Sequence, residues 1–125
     1  MSALLLVTAL LEASVGLALL GAPSLLVSVL LGTTLDTSTG MVVARVAGAA
    51  LLSLGLICWT ARNDPRSHAT RGLIQALVLY NAAAAAIFIH AHFVLGLSGI
   101  GLWPAVGVHI AMTGWCAFRM RKNQS

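Results

Sequence analysis

GLIQALVLYNAAAAAIFIHAHFVLG, residues Gly72 to Gly96, decides how the rest of the chain is read. Coiled as a helix, a run of this size is about as long as a bilayer core is thick. Its strongly polar groups are Gln75, Asn81, His90 and His92, and no full charge interrupts it. A water-soluble domain has little use for such a segment. The expectation is a membrane span over residues 72–95.

Working outward, the same pattern recurs at 3–21, 41–61 and 102–118. The chain has 125 residues, of which 59% are hydrophobic and only 8% charged. Soluble domains carry about a quarter charged residues, so this chain cannot cover a water-facing surface. Four spans of roughly 20 residues use most of its length and leave no room for a second domain. The predicted fold is all-α: a four-transmembrane-helix bundle forming one integral-membrane domain over residues 1–125.

The first span, ALLLVTALLEASVGLALLG, follows only Met1 and Ser2 and carries Glu12 near its middle. A secretory signal has a basic start and an uninterrupted apolar core, so a retained span is expected. Pro23 and Ser24 then break the helix. LLVSVLLG, residues 25–32, is too short to cross and reads as a short interfacial helix or turn on the outer side. Asp36 or Thr37 is placed to cap the next span. In that span Gly48 and Gly55, flanked by Ala44 and Ala49, put small residues where a neighbouring backbone can come close. Trp59 beside Arg62 marks its far end as an interface.

Orientation follows from the basic residues. Arg62, Arg66, Arg71, Arg119, Arg121 and Lys122 are six of the seven, and all fall on one side of a four-span arrangement. Basic loops stay in the cytoplasm, so both termini are expected to be cytoplasmic. The net charge of +4 therefore reads as topology and contact with anionic lipid, not as a nucleic-acid surface. Cys58 and Cys116 fall near cytoplasmic ends, where reduced thiols are expected.

Ionisable side chains inside spans are costly, about 2.5–3.5 kcal/mol at a helix centre on insertion scales. Glu12, Arg45, His90, His92 and His109 therefore each need a reason. Counting at ~1.5 Å per residue puts Arg45 roughly 6 Å, His90 about 7–9 Å, His109 about 10–12 Å and Glu12 about 13 Å below the outer helix ends. Thr8, Glu12 and Gly16 share one helix face, as do Asn81, Ala85, Phe88 and His92. His90 and His92 are separated by about 200°, so an ideal helix points only one of them inward. By angle His92 is the interior residue; by depth it is His90.

Three functions fit. The first is an outward-facing intramembrane site, built from Glu12, Arg45, Asn81, His92 and His109, that binds or moves a proton or small ligand. Arg45 would balance Glu12 or hold an anionic group. The second is a cofactor site: His109 with His90 or His92 as axial ligands of a b-type haem, or as ligands of a transition metal. The third is a structural or accessory subunit whose polar groups set helix register. No nucleophile–base pair or phosphate-binding glycine motif stands out, so enzyme catalysis is not expected. Glycine- and alanine-rich faces exceed what one bundle needs, which points to a homo-oligomer.

Two resemblances follow from particular residues. In length, span count and first-span glutamate the chain is similar to the small multidrug-resistance transporters, a likeness carried by Ala9 and Glu12–Gly16. Its loop between spans one and two is longer and its three span histidines are foreign to that family. Its charge asymmetry argues against a dual-orientation dimer. ARVAGAALLSLGLICWTAR, Ala44 to Arg62, preceded by GAPSLLVSVLLG, resembles the second span and proline turn of small bacterial four-span families of the DoxX-like kind. That resemblance covers about a third of the chain and implies a bacterial cytoplasmic membrane. It assigns no residue a role.

Overall fold

Residues 2–122 of the computed structural model form five α-helices: α1 (Ala3–Gly21), α2 (Pro23–Leu31), α3 (Ser38–Ala61), α4 (His68–Phe93) and α5 (Leu102–Lys122). The all-α expectation is met, and the segment after the first span is a short helix. Helices α1, α3 and α4 are each long and apolar enough to cross a membrane. The fourth long helix, α5, has 21 residues and ends in Arg119, Arg121 and Lys122.

Caps explain where the helices start. Ser2 accepts from the Leu5 amide at 3.4 Å, Thr37 from Gly40 at 3.0 Å and Ser67 from Thr70 at 3.1 Å. Each satisfies an amide that the first helical turn leaves without a partner. Of the two expected caps for α3, Thr37 is the one used. Pro23 opens α2, and Gly32 closes it with φ of 67°, in the left-handed region that glycine enters without penalty. These caps move the bounds. Helix α3 begins three residues before Met41, α4 begins at His68 and stops at Phe93, and α5 continues past Phe118.

Helix α1 lies against α3, and α4 against α5. The first contact is backbone on backbone. A Cβ added to Gly16 would stand 2.7 Å from the Gly48 carbonyl oxygen, and one on Gly48 would stand 2.8 Å from that of Gly16. Farther along, a Cβ on Gly55 would be 3.0 Å from the Ala9 oxygen. The small residues singled out in α3 thus meet a matching set in α1. All four long helices then share one core, from Leu4, Leu5 and Cys58 to Ile74, Leu77, Met112 and Cys116. Both cysteines are free and buried.

Each end of the helix assembly carries a backbone tie. At one end the Ser2 amide donates to the Arg62 carbonyl at 2.7 Å. At the other, the last carbonyls of α2 accept from the connection between α4 and α5. Ser98 donates to Leu31 at 3.1 Å, Gly99 to Leu30 at 3.2 Å and Gly101 to Val29 at 2.8 Å. A helix end normally leaves such carbonyls unpaired. Gly99 has no room for a side chain against Val29 and Leu30, so this pairing depends on it.

Gly48→Leu should separate α1 from α3, because its side chain must displace backbone. Loss of a monodisperse helical species by size exclusion and circular dichroism is the expected result. Gly114, with nothing within 4 Å of its added Cβ, provides the contrast: Gly114→Ala should retain the fold and add about 0.5–1 kcal/mol.

Candidate functional site

Apolar spans admit few polar side chains, and those of α1, α4 and α5 meet in one place. Glu12 lies on the face of α1 that carries Thr8 and Gly16, and all three are buried. That face turns the Glu12 carboxyl towards α4, where the Tyr80 hydroxyl donates to its Oε2 at 3.2 Å. Glu12 is only 6% exposed, and among the described residues no Lys or Arg pairs with it.

The adjacent residue on α4, Asn81, is 2% exposed. Its Nδ2 donates to the Leu77 carbonyl one turn back at 2.8 Å. That leaves Oδ1 as an acceptor, and His109 Nδ1 lies 2.8 Å from it. The bond therefore needs the proton on Nδ1, which leaves Nε2 with its lone pair free. Two rings hold the imidazole in place. Tyr80 meets it edge-on with centroids 5.7 Å apart, and Phe88 lies tilted at 5.8 Å. Thr113 donates to the His109 carbonyl at 2.8 Å, within α5.

Glu12, Tyr80, Asn81 and His109 share the wall of a cavity of about 190 Å³ with Leu11, Val15, Ala105, Val108 and Met112. The cavity sits at mid-height of α1 and α4. Leu11 and Val108 are exposed, so its rim lies on the flank between α1 and α5. Its walls are mostly apolar, with one carboxyl group and one imidazole nitrogen available to an occupant. Both are acceptors, suited to a proton or to a small group that donates hydrogen bonds.

The other expected site residues lie elsewhere. Arg45 is exposed on α3, and among the described residues no ion pair joins it to Glu12. It therefore does not balance Glu12. His90 is exposed at the end of α4. His92 is half-buried, with its ring 5.2 Å from Trp103 and 4.9 Å from Phe93, and its Nδ1 3.3 Å from the Leu97 carbonyl. The angular argument for His92 over His90 is the one the structure follows. His92 and His109 belong to separate clusters, a turn or more apart along α4. The ligand pair expected for haem or a transition metal is thus not brought together. Among the described residues, no three His, Cys, Asp or Glu side chains group so as to hold a metal ion.

Tyr80 is the residue that sequence reasoning missed. A phenol in mid-span needs a hydrogen-bond partner, and its position next to Asn81 was the available signal. No family model, curated protein or solved structure matches the chain.

Replacing Asn81 with Leu should release the imidazole tautomer. In ¹⁵N NMR spectra the wild-type His109 should show a protonated Nδ1, and Asn81→Leu a mixture of both tautomers. The same change should lower stability by about 1 kcal/mol in a denaturant titration.

Proposed function

We propose that this protein is a small four-span membrane protein whose intramembrane cavity takes up a proton or a small hydrogen-bond donor through Glu12 and His109. One observation carries the reading: a carboxyl and an imidazole from α1 and α5 line the same mostly apolar cavity, and among the described residues neither has a counter-charge. What balances Glu12 must then enter from outside. Tyr80 and Asn81 hold the two groups in position, and the flank between α1 and α5 provides the route.

In this reading α5 is the fourth span. Ser2 is tied to Arg62 at one end, where the 62–71 loop and the basic end of α5 also lie, so the positive-inside bias puts that end in the cytoplasm. Arg62, Arg66, Arg71, Arg119, Arg121 and Lys122 would then meet the inner leaflet of a bacterial cytoplasmic membrane. Membership of a DoxX-like family is part of the same proposal, resting on Ala44–Arg62 and the preceding proline turn. So is a homo-oligomer, for which Gly107 and Gly114 leave an open face on α5.

The second reading is a scaffold without chemistry. It is favoured by the α1–α3 glycine contact, which would hold a bundle together with no ligand at all. Proteoliposomes containing a trapped pH-sensitive dye separate the two. Under an imposed pH gradient the wild type should equilibrate protons faster than protein-free vesicles. Glu12→Gln should return that rate to the protein-free level while keeping the helical content. Equal rates for wild type and Glu12→Gln would leave the scaffold.

A further inference from the structure

A second cavity lies away from the polar site, on the outer surface of the α1–α3 pair. It is a groove of about 420 Å³, floored by Ala9, Ala13 and Gly55 and walled by Leu10, Leu56 and Trp59. The close approach of the two backbones creates it, since small residues leave a trough where larger side chains would fill the seam. Its other polar lining group, Ser53, already donates to the Ala49 carbonyl at 2.8 Å. The trough is therefore mostly apolar and offers an occupant chiefly dispersion contacts.

The end of the groove differs from its floor. The Arg62 guanidinium carbon lies 3.8 Å from the centroid of the Trp59 ring, and Arg62 also donates to the Trp59 carbonyl. The side chain is thus held over the ring at the mouth of the trough. Among the described residues it has no carboxylate partner. An indole beside a cation is the arrangement expected at headgroup depth. From Leu52 to Trp59 the groove wall extends roughly 10 Å along α3, running from that depth into the hydrocarbon region.

We propose that this groove holds an acyl chain of one anionic phospholipid whose phosphate rests on Arg62. Charge complementarity selects the headgroup, because Arg62, Arg66 and Arg71 outnumber Asp64 in the 62–71 loop and, among the described residues, Asp64 forms no ion pair with Arg62. The shape selects a chain: a narrow apolar trough open along its length accepts a flexible hydrocarbon. The site is separate from Glu12 and His109 and does not depend on what they bind.

The test uses full-length protein with Trp103→Phe and Trp115→Phe, so that Trp59 reports alone. The protein is reconstituted in phosphatidylcholine vesicles with increasing amounts of phosphatidylglycerol or phosphatidylcholine brominated on the acyl chain. Trp59 fluorescence should be quenched about fivefold more effectively per mole by the anionic lipid. Arg62→Gln should bring the two lipids to parity, and Ser53→Phe, which fills the trough from an exposed position, should weaken quenching by both. Circular dichroism checks that each variant keeps its helices. Equal quenching by the two lipids in the parent protein would overturn the proposal. So would quenching that appears only when the protein is diluted in lipid, the sign that a second copy covers the groove.

Discussion

The backbone contact between α1 and α3 is the constraint on which the rest depends. In lipid, burying a leucine against a leucine gains little, because the tails are equally apolar. Helices associate there by close packing and by polar bonds. Gly16 and Gly48 supply the packing, each occupying the space that a side chain on the other would need. That contact fixes the rotation of α1. With Gly16 and Ala9 against α3, Glu12, one turn before Gly16 and about 40° round the same buried side, reaches Tyr80 of α4. The position of the carboxyl group is thus a consequence of two glycines rather than of its own single hydrogen bond.

Polar bonds then do between α4 and α5 what glycines do between α1 and α3. Asn81 is closed on both sides, giving its amide hydrogen to Leu77 and taking one from His109. An asparagine so placed both orders the pair and sets which imidazole nitrogen stays free. Tyr80, next to it, links the α4–α5 pair to α1 through Glu12. The cavity forms where the two pairs face each other.

Much of this was readable before any coordinates. The long helices follow from long uncharged runs, and the start of the second from Asp36 or Thr37, because capping is a local property of a few residues. The Ser2 and Ser67 caps were not read, and α4 starts four residues earlier than expected. The face of α1 carrying Thr8, Glu12 and Gly16 and the face of α4 carrying Asn81 also followed from helical spacing, whereas the choice between His90 and His92 did not. Arg45 shows why the rest did not. The glycines of α3 marked its packing side, but nothing in the sequence said which helix would fill it, and depth alone placed Arg45 near Glu12. The structure leaves Arg45 exposed. The pairing of α2 with residues 98–101 was beyond reach for another reason. It joins backbone atoms far apart in the chain, and backbone groups are the same at every position.

That pairing also limits how the molecule can move. The two helix pairs are stitched through main-chain atoms at the α2 end and joined covalently through residues 62–67 at the other. Tied at both ends, they resist rocking like the halves of a clothes-peg, since that would break the bonds from residues 98–101 to α2. Any breathing must be a bowing or twisting of the helices around two fixed points. Access to the space between the pairs is then set by the side chains at its rim, Leu11 and Val108.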